Sequence, residues 1–241
     1  MTKETALGHK NANWSQKKRS CALPYIPIIL ITLIGAALRL YNLGEASLWY
    51  DEAGSLYLAN QHADFTLASL APDKNTEPPL FLYIARGWSA LAGLFDLGLT
   101  SQASDFLIRL LPCLAGIACI PLLYAVTLVI TTDKRVALLA ALLYSVSPFQ
   151  VYYAHEFRAH TLYTAMCLAT AYCAVNALRN NTLRHWSAMT ILMAAMMYLH
   201  YSALWFIAAL NAYGLLTFKT HRPRLRPWIF SQSTVLILIV P

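Results

Sequence analysis

The chain has 241 residues, 58% of them hydrophobic and only 12% charged, with a mean hydropathy of +0.49 and a formal net charge of +7. A soluble domain carries about 25% charged residues, so these figures exclude a soluble domain and predict a polytopic, all-α membrane protein. The basic residues are clustered, and the clusters read as membrane topology, not as a nucleic-acid surface.

Residues 1–23 form a polar tail with Lys3, Lys10, Lys17, Lys18 and Arg19, which predicts a cytoplasmic N-terminus. The tail is long and no small-residue cleavage site follows, so it does not read as a signal peptide. Residues 24–241 form the membrane module. Its first span is 24–42, and the loop 43–104 then lies outside. Within 43–78 the acids include Asp51, Glu52, Asp64, Asp73 and Glu77 against a single Lys74. The segment 79–97 is short and has Arg86 in its middle. A full crossing needs roughly 20 mainly apolar residues, and a central arginine costs about 2.5–3.5 kcal/mol on insertion scales. It is therefore expected to be a juxtamembrane or re-entrant helix. Spans follow at 105–130, 136–153, 159–178, 186–199 and 202–218, and the apolar stretch 228–241 ends the chain. If 105–130 runs from outside to inside, the clusters Lys134-Arg135, Arg179–Arg184 and Lys219–Arg226 all fall in the cytoplasm. Asp51-Glu52, Glu77, His155-Glu156-Arg158 and His200-Tyr201 then share the outer face, where ionisable groups at membrane spans point to function.

The stretch "AHEFRAH" (154–160) suggests a zinc motif at first sight. Zinc proteases place two histidines four apart on one helical face. His155 and His160 are five apart and point about 140° away from each other, so the protease reading is set aside. Cys21, Cys113, Cys119, Cys167 and Cys173 contain no C-x-x-C pair and read as small packing residues.

The candidate chemistry sits in three stretches. "SLWYDEAGSLYLANQH" (47–62) places Asp51 and Glu52 after an interfacial aromatic pair; both acids also suit a helix N-terminus. "NTEPPLFLY" (75–83) sets Glu77 before two prolines, which fix an extended entry into a helix. "YYAHEFRAHTLY" (152–163) holds Tyr153, His155, Glu156 and Arg158. Snorkelling at an interface accounts for Arg158 and the tyrosines but poorly for Glu156. Arg109 is expected to pair with Asp105 at i,i+4 as a structural contact. His200 and Tyr201 suit either an aromatic belt or a binding role.

"LRLYNLGEASLWYDEAGSLYLA", "EPPLFLY", "FLIRLLPCLAGIACIPLLY", "ALLYSVSPFQVYYAHEFRAHTL" and "YLHYSALW" resemble successive blocks of the GT-C membrane glycosyltransferases. The branch they are most similar to is the bacterial group of the protein O-mannosyltransferases and the lipid A aminoarabinose transferase. The resemblance covers about residues 28–210. It implies a GT-C helical bundle with juxtamembrane helices in the first outer loop, in the bacterial inner (plasma) membrane. It also implies transfer of a sugar, mannose or another hexose, from a polyprenyl-phosphate donor to a lipid, glycan or protein acceptor on the extracytoplasmic face. Asp51 matches the family's general base and Glu52 its second acid. Glu156 and Arg158 match the E-x-R block. Glu77, Arg109, Tyr153, His155, His200 and Tyr201 complete the set expected to bind donor phosphate or substrate. A divalent cation is left open as cofactor.

The chain departs from the pattern at Ala154-His155, at His160 and at Glu77. Family members are longer, so the chain is expected to be an N-terminal fragment. The rival readings are a transporter and a non-catalytic membrane remnant of a truncated transferase. A transporter keeps its ionisable groups near the midplane on broken helices in repeated halves. Here they lie at span ends, and no internal repeat is visible.

Overall fold

The computed structural model describes residues 25–61, 78–94, 101–217 and 224–239, and these contain ten α-helices and no strand. They are α1 (Ile26–Leu40), α2 (Tyr50–Gln61), α3 (Pro79–Leu94), α4 (Ser101–Thr131), α5 (Lys134–Val146), α6 (Pro148–Ala154), α7 (Ala159–Asn180), α8 (Leu183–Leu199), α9 (Ala203–Leu216) and α10 (Leu225–Ile239). The all-α membrane bundle expected from composition is the fold observed.

α4 is the central post. It packs against α1, α3, α5, α6 and α7, while α8 joins α7 to α3, α9 and α10. Two stretches, Ala103–Thr131 and Ala159–Asn180, are each long and apolar enough to cross a membrane. α1, α9 and α10 are shorter apolar helices. α3 has 16 residues, about 24 Å at 1.5 Å per residue, less than the ~30 Å of a hydrocarbon core. It lies against α2, α4 and α8, and its Trp88 Nε1–H donates to the Leu107 carbonyl of α4 at 2.9 Å.

The expected single span 136–153 is instead broken into α5 and α6, which bend by 59° at Ser147. Pro148 is the reason. It has no N–H to continue the ladder, and it forces Ser147 out of the helical region, to φ −64°, ψ 119°. The break leaves the last carbonyls of α5 without helical partners. Arg39, in α1 and fully buried, supplies them. Its Nη1 donates to the Ser145 carbonyl at 3.0 Å and its Nη2 to that of Tyr144 at 3.3 Å. A cation at a helix C-terminus also matches the dipole. Gly35 and Gly116 leave room for this side chain: a Cβ on Gly116 would stand 3.2 Å from Arg39 Nε and 3.0 Å from Ala154 Cβ.

The short connections sort charge to the two ends. Lys134, Arg135, Arg179, Arg184, Arg224 and Arg226 lie at one end, where Asp133 is the only acid among the described residues. Arg224 Nη2 donates to the Arg179 carbonyl there at 2.8 Å. Asp51, Glu52 and Glu156 gather at the opposite end.

Candidate active site

The two neighbouring acids at the start of α2 have different surroundings. Glu52 is 0% exposed. Its Oε1 accepts from Arg109 Nε at 3.0 Å and from the Phe157 N–H at 2.7 Å. Its Oε2 accepts from Arg109 Nη2 at 2.6 Å and from the Trp49 N–H at 3.2 Å. The last bond closes the first turn of α2, as an acid at the third helical position does in a capping box. Glu52 thus ties α2, α4 and the turn 155–158 together. Arg109 therefore pairs with Glu52 and not with Asp105, as the i,i+4 spacing had predicted. Its remaining donors go to backbone carbonyls of the 43–47 loop, including that of Ser47 at 3.1 Å. The fork geometry of a guanidinium lets one side chain serve a carboxylate and a loop together.

Asp51 is one step round the helix and its side chain is 42% exposed. Arg158 approaches from the 155–158 turn, with Nη1 at 3.8 Å from Asp51 Oδ2 and 3.4 Å from the Asp51 carbonyl. Asp51, Ser55, Tyr57 and Arg158 line an open groove of ≈ 710 Å³. An acid and a guanidinium therefore face the same accessible space.

The turn carrying Arg158 is rigidly held. The Arg158 N–H donates to the Glu156 carbonyl at 2.8 Å. Phe157 is fully buried and meets the Phe81 ring of α3 at 5.7 Å between centroids. Thr161 Oγ1 donates to the Tyr153 carbonyl at 2.8 Å, locking α7 onto α6. Glu156 is buried, while Tyr153 and His155 are partly covered. Burial pushes the His155 imidazole below its ordinary value, because taking a cation out of water disfavours it.

On the other side of Arg158, His160 and His200 face each other at 5.4 Å between ring centroids. Arg158, His160, His200 and Tyr201 border a second hollow of ≈ 190 Å³. Tyr201 is 65% exposed. Glu77 lies outside the described residues. Among the described residues no three His, Cys, Asp or Glu side chains cluster as metal ligands.

Most of the expected site residues thus come together at one end of the bundle. Arg39 was missed. An arginine near the end of the expected span 24–42 reads as a snorkelling cation, and only the break in α5–α6 shows why it is buried. His160 was singled out as a departure and not as a site residue, yet it stands inside the hollow.

The sequence pattern of the dolichyl-phosphate-mannose-protein mannosyltransferase family matches residues 76–241. The chain belongs to this family. The matched segment contains Arg109, Glu156, Arg158 and His200, whereas Asp51 and Glu52 precede it. No curated protein matches the chain. Membership of this mannosyltransferase family points to glycosyltransferase chemistry with a lipid-linked sugar donor, and the apolar helices are consistent with a membrane protein.

Proposed function

We propose that the protein moves a hexose from a polyprenyl-phosphate donor to a hydroxyl acceptor on the extracytoplasmic face of the bacterial inner membrane, with Asp51 as general base and Arg158 as the phosphate ligand. The observation that carries this reading is the shared groove of Asp51 and Arg158. Displacing a lipid phosphate from a sugar C1 needs a base for the acceptor's proton and a cation for the charge growing on the leaving phosphate. The Asp51 carboxylate is accessible and can take that proton. The Arg158 fork, nearby on a held turn, can donate to two phosphate oxygens. A single displacement of this kind inverts the anomeric centre.

Glu52, paired with Asp51 as a catalytic acid in the sequence reading, takes a different role here. Its oxygens are enclosed and occupied by four donors, so it cannot reach an acceptor. It acts as a positioning residue that fixes α2 against the Arg158 turn. Arg109 is its partner in that task. Of the other candidates, His200 and Tyr201 lie beside Arg158 on the donor side, and Tyr153, His155 and Glu156 shape the turn.

Asp51→Asn keeps size and most hydrogen bonding but cannot accept a proton. With the protein in membranes and a polyprenyl-phosphate hexose as donor, turnover should fall by about 10²–10⁴-fold while donor binding holds. Arg158→Lys should instead weaken donor binding, because a point charge replaces a fork. Near-normal turnover of Asp51→Asn would remove Asp51 from the mechanism.

A further inference from the structure

A separate cavity, of ≈ 140 Å³, lies at the basic end of the bundle between α7, α9 and α10. Leu178 of α7, Leu215 of α9, and Leu225 and Trp228 of α10 line it, together with Asn211 and Arg224. The Trp228 ring is fixed. Its Nε1–H donates to Asn211 Oδ1 at 3.0 Å, and it meets the Trp186 ring edge-on at 6.2 Å between centroids. Gly214 lets α9 approach it closely, since a Cβ there would stand 3.0 Å from Trp228 Cζ2. Asn211 Nδ2 donates to the Ile207 carbonyl at 3.0 Å and to Gln232 Oε1 at 3.2 Å, so the whole amide is engaged within the protein. Arg224 is partly buried. Its Nη2 donates to the Arg179 carbonyl at 2.8 Å, one of the last-turn carbonyls of α7 that lack a helical partner. This bond pins the guanidinium across the gap between α7 and α10. The Arg224 Nε is buried and meets no acceptor among the described residues, and a buried donor of this kind calls for a partner.

We propose that this cavity is a site for an anionic phospholipid, with the lipid phosphate on Arg224 and an acyl chain along Trp228, Leu225 and Leu215. The inference is independent of the glycosyltransferase reading. The lining combines one cation, apolar walls and an amide that is already engaged. It therefore suits a ligand with one anionic end and an apolar remainder, whereas a sugar or a nucleotide needs more directed polar groups than these. A guanidinium offers phosphate a fixed fork of donors. Leu215 is 74% exposed and its neighbour Leu216 87%, so the apolar wall continues onto the surface of the bundle, where an acyl chain can lie. Arg179, Arg184 and Arg226 are exposed at the same end. The connection 218–223, outside the described residues, adds Lys219 and Arg222 and no acid in sequence. Basic charge beside membrane helices draws anionic lipid headgroups. A lipid in this place touches α7, α9 and α10 together, and binding to the folded state alone stabilises it.

The test uses the whole chain in an uncharged detergent with a fluorescent phosphatidylglycerol, whose anisotropy reports binding. Unlabelled phosphatidylglycerol should displace it, and phosphatidylcholine should do so about tenfold less well. Equal displacement by the two lipids overturns the site. Arg224→Gln should weaken binding by about tenfold or more, the size of a lost hydrogen bond to a charged group. Arg226→Gln removes the same charge from the exposed surface close by and should cost little. Equal losses in the two variants assign the binding to diffuse charge and overturn the site. Phosphatidylglycerol should also raise the melting temperature of the wild-type protein and not that of Arg224→Gln; a rise of the same size in both overturns the site. If Arg224→Gln does not fold, Leu215→Asp carries the test, because it lies at an exposed position, leaves Arg224 in place and sets a like charge against the lipid. Unchanged binding by Leu215→Asp overturns the site. Displacement of the fluorescent lipid by inorganic phosphate as strong as that by phosphatidylglycerol gives the cavity to a soluble phosphate compound and overturns the lipid assignment.

Discussion

Two carboxylates adjacent in the chain, Asp51 and Glu52, are separated in role by about 100° of helix rotation. One turns to the groove and the other turns inward onto Arg109. A buried ion pair is weak grounds for stability when compared with apolar packing, but removing one partner leaves an uncompensated charge. Arg109→Ala strands the Glu52 carboxylate and also frees the loop carbonyls that Arg109 holds. It is expected to destabilise the protein by about 3–5 kcal/mol, read as a large fall in melting temperature in detergent. Arg109→Lys retains the charge but loses the fork, and should fall between the two. A neutral effect of Arg109→Ala would show that the Glu52 contacts to backbone N–H groups are sufficient alone.

Two short connections between helices carry part of the site, and hydrogen bonds such as Arg158 N–H to the Glu156 carbonyl and Ser202 N–H to His200 Nδ1 hold them. The turn 155–158 holds His155, and the α8–α9 connection holds His200. Both imidazoles are held below their ordinary value, mainly by burial. The folded state therefore binds fewer protons than the unfolded chain, whose histidines titrate near about 6.5. Stability from this source is fully present above that value and is lost as pH falls through it towards the lower folded values. The melting temperature of the wild-type protein should drop between pH 7.5 and pH 5.5. The double variant His155→Gln with His200→Gln should show a smaller drop, since it lacks the two groups. An identical pH profile for the double variant would assign the drop to other groups.

Across the whole bundle, the ends differ in charge. Among the described residues, six cations with Asp133 mark one end, and the acids Asp51, Glu52 and Glu156 stand with Arg109 and Arg158 at the other. If the basic end is cytoplasmic, as the positive-inside rule requires, α1 runs outward and α4 runs inward, and α3 stays on the outer side. Reporter fusions after Leu99 and after Thr132 should then read outside and inside respectively. Cysteines at 51 and 156, as Asp51→Cys and Glu156→Cys, test the same orientation. Asp51→Cys, in the open groove, should label from outside in intact cells. Glu156→Cys should label more slowly because the residue is buried. The reverse fusion pattern would mean that α3 crosses, and the assignment of faces would have to be redrawn.

Composition and apolar run length were enough to predict an all-helical membrane bundle, because a span is set by how many apolar residues occur in a row. The charge clusters placed the ionisable stretches at one common end for the same local reason. Three features needed the packed chain. α2 has no apolar stripe to set its rotation, so the sequence cannot say which of Asp51 and Glu52 turns inward. The apolar run 136–153 hides a break that Pro148 makes, since hydropathy is blind to backbone geometry. Arg39, Arg109 and His160 take their roles from partners 57 to 106 positions away, or 40 in the case of His200 with His160. Such contacts are decided by where helices cross, and no local pattern in the chain records them.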